Sequence, residues 1–237
     1  MSKSTTTPLR VVRKVWARVP SIPIEDIAEA PSRANENSVP LNPLEQLHDT
    51  IDACRKCETS IPNLCKPIRM FRGAPGSVMV VGQGPGKKER ALGYAFAGRS
   101  GKRLDEWLRK CRKRGAARDG IYFTSVVKCV KRSDDELEIM TRNCRPYLIQ
   151  QISLIRPRLI IALGHLAFET LNFTSLQFAE ALCVPLRTRE HLLFSPFDYD
   201  FTLLAWPHPS GLNRWLNKEK NRTALEKSFE IVATFIG

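Results

Sequence analysis

Cys54-Arg55-Lys56-Cys57 forms a C-x2-C pair, and Cys129 and Cys144 follow after 71 and 14 intervening residues. A close pair plus two distant thiols closes a four-thiolate site once a fold gathers them, and such a site suits a 4Fe-4S cluster or Zn2+. Cys111 and Cys183 sit in apolar stretches and read as buried small hydrophobes, while Cys65 reads as a loop thiol. Gly82-Gln83-Gly84-Pro85-Gly86 has glycines that let the backbone approach a ligand closely. It lacks the Gly-Lys-Ser/Thr ending of a Walker loop and the G-x-G-x-x-G spacing of a dinucleotide site. Further on, Phe96-Ala97-Gly98-Arg99-Ser100-Gly101 sets an aromatic among small residues, where the ring can stack on a flat base or plug the core. His208-Pro209-Ser210-Gly211-Leu212 sets a histidine on a proline-stiffened turn, where it can donate to negative charge developing on a leaving group. His48, His165 and His191 read as structural.

The elements that must position these groups are legible as apolar runs. Ser77–Gly82, Ile121–Val127, Leu159–Gly164 and Phe201–Trp206 read as four buried strands. Helical spacing marks Leu44–Cys54, residues 99–114 with Leu104, Trp107, Leu108 and Cys111 on one face, Ala167–Leu171 and Glu219–Phe235. Asp135–Ile155 is also helical, with an interruption expected at Asn143–Pro146, because proline is tolerated only in a first turn. Strands alternating with helices predict an α/β fold: three α/β/α layers around a central, mainly parallel four-stranded sheet. Ligands of such folds collect at the carboxyl ends of the strands. Here those ends carry Gly82–Gly86, Ser125–Cys129, Gly164-His165 and His208–Gly211.

Composition narrows the class. The 237 residues are 43% apolar and 26% charged, which excludes a chain disordered throughout. No run approaches the ~18 apolar residues of a membrane span. An odd cysteine count with no secretory segment ahead of it argues against a disulfide framework and for ligation in a reducing compartment, so a cytoplasmic, nucleoid-associated protein is expected. The excess of 37 Lys and Arg over 24 Asp and Glu, a net +13, favours a polyanionic partner, most simply nucleic acid. Residues 1–43 read as a basic, proline-rich, disordered extension and 44–237 as the folded domain; an organelle transit peptide is the lesser reading of the extension.

Taken in order, these pieces resemble the uracil-DNA glycosylase superfamily and are most similar to its family 4, the iron–sulfur-containing branch. The likeness runs from about Cys54 to the C-terminus. The family's four-cysteine spacing corresponds to Cys54, Cys57, Cys129 and Cys144, and its Gly-Glu-Ala-Pro-Gly motif to Gly82–Gly86. Its Pro-Phe-Val-Gly-Arg-Ala-Gly stretch corresponds to Ala95–Gly101, and its Ile-Thr-Asn-Val-Val-Lys-Cys to Phe123–Cys129. Asn143–Leu148, Leu163-Gly164 and His208-Pro209-Ser210 also fit.

The resemblance implies a monofunctional glycosylase that flips a deaminated or damaged base out of DNA and excises it, acting as a monomer away from membranes. It implies catalytic roles for His208, as donor to the leaving base, and for Gln83, as a water-positioning amide. Gly84, Phe96 and Ser125 would surround the base. Arg99, Lys102, Ser210 and Leu212 would contact DNA, with Leu212 as a wedge. Cys54, Cys57, Cys129 and Cys144 would hold a 4Fe-4S cluster, with zinc as the alternative. Two departures bear on the base. Gln83 stands where the family has glutamate, and Ser125 where an asparagine reads uracil. A serine hydroxyl cannot make the two-point contact of an amide, so hypoxanthine, xanthine or another damaged base joins uracil as substrate. Two other readings remain: a non-catalytic damaged-base or single-strand binding member, and a zinc-stabilised RNA-processing factor, which leaves Phe96 and the His-Pro-Ser turn unexplained.

Overall fold

A computed structural model describes residues 42–64, 66–68, 76–188 and 197–236. The extension before residue 42, Cys65 and His191 lie outside the described residues.

Helix α1 (Pro43–Asp52) opens the described chain, capped by Asn42, whose side chain accepts from the Leu44 amide at 3.0 Å. Strand β1 (Val78–Gly82) follows, then α2 (Lys87–Leu92), α3 (Arg99–Lys110), β2 (Ile121–Ser125), α4 (Glu136–Ile155) and β3 (Leu159–Leu163). After these come α5 (His165–Leu171), α6 (Phe178–Ala181), β4 (Pro185–Arg187), β5 (Thr202–Trp206), a 3-10 turn at Arg214–Asn217, and α7 (Glu219–Ile236). The sheet order is β2-β1-β3-β5-β4. All pairings are parallel except β4 with β5.

Every residue of β1, β2 and β3 is buried, which is why these strands read as unbroken apolar runs. Alternate residues feed two cores. Met79, Val81, Tyr122, Ile160 and Leu203 meet Met140, Leu148 and Ile152 of α4 and Phe168 of α5 on one face. Val80, Phe123, Ile161, Leu204 and Trp206 meet Leu104, Trp107 and Leu108 of α3 and Leu225, Phe229 and Val232 of α7 on the other. The three α/β/α layers are as expected.

The strand count is not: the sheet has five strands rather than four. The fifth, β4, is a three-residue antiparallel edge strand that buries only Leu186, so it carries no apolar run to read. The predicted break in α4 is also absent. The helix runs uninterrupted for 20 residues through Pro146. A proline inside a helix costs about 3 kcal/mol. Burial of Met140 and Cys144 before it, and of Tyr147, Leu148, Gln151 and Ile152 after it, holds both halves against the sheet at about 1.5–3 kcal/mol per large apolar side chain. The basic helix α3 ends at Lys110, short of the expected residue 114.

Candidate functional site

The first parallel connection leaves β1 for β2 on one side, and the next crosses back to β3 on β1's other side. That reversal opens a crevice at the carboxyl ends of β1 and β3, the usual ligand position of open α/β sheets. Gly82 at the end of β1 pairs with Ser125 at the end of β2, and the amides of Val126 and Val127 donate to the carbonyls of Gly82 and Gln83 at 2.8 and 2.9 Å. Beyond β3, Gly164 sits at φ 83, and a Cβ there would lie 3.3 Å from that of His208. Adjacent strands stand about 4.8 Å apart, so the ends of β1 and β5, on either side of β3, are separated by about 10 Å.

Phe96 reaches this edge from the α2–α3 loop. It adopts φ 53, a left-handed conformation that costs a bulky residue on the order of 1–2 kcal/mol. Its ring lies over Gly82, where a Cβ would stand 2.7 Å from Cζ, and it meets Phe123 edge-on at 5.9 Å. Gly101, in the first turn of α3, passes under the Phe96 carbonyl so closely that a Cβ would fall 1.6 Å from it. Gln83 is half-buried and Gly84 exposed, and a Cβ on Gly84 would strike Val127 at 2.4 Å.

His208 is half-buried two residues past β5. Burial lowers its pKa below the ordinary value, so the ring is neutral near pH 7. The amide of Ser210 donates to Nδ1 at 3.2 Å, Asn213 Nδ2 donates to the His208 carbonyl at 2.9 Å, and Arg103 Nη1 on α3 donates to the Ser210 carbonyl at 3.3 Å. Leu212 stands at the tip of this braced turn, 92% exposed. Arg99 and Lys102 are exposed in the first turn of α3, whose N-terminus carries no acid.

Ser125 is 1% exposed and donates its hydroxyl to Val127 O at 2.7 Å, within its own turn. What lies behind that turn was not read from sequence. Lys128 Nζ is buried and donates to Thr124 Oγ1, the Ser125 carbonyl and Gln151 Oε1 at 2.9, 2.6 and 2.8 Å, and burial brings its pKa down to about 8. Gln151 Nε2 donates to Tyr122 Oη at 2.8 Å, which also lies 2.6 Å from His48 Nε2, so His48 is structural as expected. Sequence reading also missed Glu89 and Arg118. Glu89 accepts from the amides of Gly86 and Gly98 at 3.0 and 3.1 Å, tying the β1 loop to the Phe96 loop. Its spacing from Gly86 is that of a capping box, the one signal that marked it.

Cys54, Cys57, Cys129 and Cys144 line a single solvent-open cavity between the end of α1, the turn after β2 and α4. The Cys144 thiol is raised by burial, lowered by the Lys128 amide and ammonium, and raised again by the nearby Cys57 and Cys54. Asn143 Nδ2 donates toward Cys57 Sγ at 3.4 Å. Among the described residues no three Cys, His, Asp or Glu side chains stand close enough to hold one metal ion, as four sulfurs about 2.3 Å from a single zinc would require. Four thiols lining one cavity, with N–H donors at two of the sulfurs, are a donor set that would suit an iron–sulfur cluster. Cys111, 2% exposed, has its thiol pushed up to about 12 by burial and belongs to the core as expected.

Comparisons with known proteins bear on the family. The family model described as the uracil DNA glycosylase superfamily matches residues 73–232. The type-4 uracil-DNA glycosylase of Pyrobaculum aerophilum is 36% identical over 139 residues, 54% of this chain and 64% of the relative. That of Sulfurisphaera tokodaii is 33% identical over 135 residues, 52% of this chain and 56% of the relative. That of Archaeoglobus fulgidus is 30% identical over 137 residues, 57% of this chain and 67% of the relative. The matched parts thus span just over half to two thirds of these relatives' length. With the family model covering well over half of the sequence, the chain belongs to the uracil DNA glycosylase superfamily.

Proposed function

We propose that the protein is a monofunctional DNA glycosylase that excises uracil or a related deaminated base, working as a monomer on chromosomal DNA in the cytoplasm. The observation that carries this reading is the neutral His208, held by Ser210 at the same strand-end crevice over which Phe96 lays its ring.

Cleavage of an N-glycosidic bond builds negative charge on the base and positive charge on the sugar. A fixed donor at the leaving oxygen is the largest single lever on such a step. With Nδ1 accepting from Ser210, the neutral ring of His208 carries its proton on Nε2 and donates it to that oxygen as a hydrogen bond. Gln83 cannot take a proton from water, but its amide orients one toward the sugar. Phe96 stacks on the flipped base. Gly84 and Ser125 bound its edge, Ser125 through a hydroxyl oxygen whose proton points at Val127. Flipping costs about a few kcal/mol. Leu212 fills the space the base vacates, and Arg99, Lys102 and the Ser210 turn hold the backbone, aided by the α3 N-terminus.

Cys54, Cys57, Cys129 and Cys144 would hold a 4Fe-4S cluster, which supplies a cross-link between α1, the turn after β2 and α4 rather than a chemical step. Through that turn the four thiols support the backbone that carries Ser125.

Excision assays over uracil, hypoxanthine, xanthine and methylated bases, in single and double strands, test the reading. An alkali-labile site at one of them supports it. One observation favours a second reading, a binder without turnover: the Ser125 hydroxyl is committed within its own turn. A retarded oligonucleotide with no alkali-labile site at any base would establish that reading instead.

A further inference from the structure

Arg118 lies in the loop before β2, outside every motif, and its side chain is only 19% exposed. Its Nε and Nη2 hold the two carboxylate oxygens of Asp105 on α3 at 2.7 and 3.2 Å. Nη1 donates to the Ala95 carbonyl at 2.8 Å and Nη2 to the Phe96 carbonyl at 3.0 Å. The guanidinium carbon stands 5.3 Å from the centre of the Phe123 ring, the same ring that Phe96 meets edge-on. Arginine is suited to this because its planar fork presents several donors in fixed directions, which a lysine ammonium cannot.

The two carbonyls are the informative contacts. Residues 95 and 96 present successive C=O groups on either side of the φ and ψ of Phe96. In extended backbone successive carbonyls point to opposite sides, and one guanidinium cannot bond both. In helical conformations of either hand they point the same way. Arg118 therefore excludes the extended alternatives at Phe96 and stabilises the φ of 53 that its side chain would otherwise resist. That conformation lays the ring across Gly82, at the end of β1.

We propose that Arg118 is a positioning residue for base capture, acting through the Ala95 and Phe96 carbonyls to hold the Phe96 ring at the strand-end crevice. This rests on the glycosylase reading above. Asp105 is its anchor: the ion pair fixes the guanidinium to α3, so that the Phe96 loop and the helix bearing Arg99 and Lys102 move as one body.

The test is a double-mutant comparison of single-turnover excision on the base that the wild-type protein removes, with the melting temperature measured alongside. Arg118→Met should slow excision about 10- to 100-fold, the usual penalty for a misplaced contact. In a Phe96→Leu background the same substitution should cost no more than about twofold, because its effect passes through the ring that is already lost. An equal fall in both backgrounds, as for a residue that only supports folding, overturns the inference, and so does an Arg118→Met protein as fast as wild type. Should Arg118→Met fail to fold, Asp105→Asn carries the same comparison, with a smaller fall that again vanishes beside Phe96→Leu. A wild-type protein that excises no base overturns the glycosylase reading and this inference together. An active wild type with additive effects overturns this inference alone.

Discussion

The backbone amide of Ser210 donates to Nδ1 of His208 across a proline, at 3.2 Å. An N–H aimed at Nδ1 leaves no room for a proton there, so the turn selects the tautomer with its proton on Nε2 and opposes a second protonation. Burial of the ring acts in the same direction.

A pH profile reads this arrangement directly. The neutral imidazole is the working form and burial lowers its pKa below the ordinary value, so the acid limb of excision should lie at lower pH than the titration of a free imidazole. Protonation would turn Nδ1 into a donor facing the Ser210 amide. Because the folded pKa is below the unfolded one, the folded state binds fewer protons. The stability this contributes is fully present above pH 6.5 and is lost as pH falls through the lowered pKa. His208→Ala should slow single-turnover excision by ~10²–10³-fold and flatten the acid limb. An acid limb unchanged in that variant would assign it to another group.

Gly82 and Gly101 both face Phe96 but should fail differently. A Cβ at Gly82 meets the far edge of a ring, at 2.7 Å, which can swing away; one at Gly101 meets a carbonyl, at 1.6 Å, which cannot move without the α3 backbone. Gly82→Ala should therefore cost about 1–3 kcal/mol of stability and most of the activity, since the displaced ring no longer covers the strand end. Gly101→Ala should cost more than about 4 kcal/mol. Denaturant midpoints beside excision rates separate the two.

The strand ends and the four loops beyond them were legible because burial on both faces leaves an unbroken apolar run, and three of these runs stop where Gly82, Gly164 or Pro207 stops them. The residues that hold those loops left no such trace. Arg118 acts on carbonyls 22 and 23 positions away, and a bond to a carbonyl places no demand on the residue type that owns it. Arg103, reaching the Ser210 carbonyl 107 positions on, was hidden for the same reason among the charges of α3. The family resemblance set Ser125 at the edge of a base; only the turn geometry shows its hydroxyl donating to Val127 O. Pro146 misled in the opposite sense, its local cost outweighed by burial that no local window sums.

Leu212 is 92% exposed on a turn whose backbone is held from three sides, so its apolar side chain contributes nothing to the core. Leu212→Ala should leave the melting temperature unchanged, as surface substitutions stay within about 0.5 kcal/mol. On a base paired in a duplex, excision should fall about tenfold, equivalent to about 1.4 kcal/mol of an unstacking cost of a few kcal/mol. On a single strand, where no stack has to be held open, the variant should match wild type. An equal loss on both substrates would show that Leu212 contacts the flipped nucleotide itself rather than the gap it leaves.

The four thiols line one cavity between α1, the turn after β2 and α4, where Leu47 and Ile51 also pack against Tyr147. Cys57, Cys129 and Cys144 are 8, 8 and 5% exposed, and beside them Lys128 connects the cavity to the Ser125 carbonyl through its buried ammonium. Protein purified without oxygen should be brown and contain iron and acid-labile sulfide in equal amounts. Cys129→Ser and Cys144→Ser should each lose the colour and lower the melting temperature, whereas His208→Ala should keep both. Iron removal should expose the turn after β2 to proteolysis before the sheet unfolds, since the thiols are one of its anchors, beside the strand ladder and the bond from Lys128 to Gln151. A colourless preparation carrying one zinc would mean that the thiols close further inward than their present spacing, and would replace the cluster with a single ion in the same cross-link.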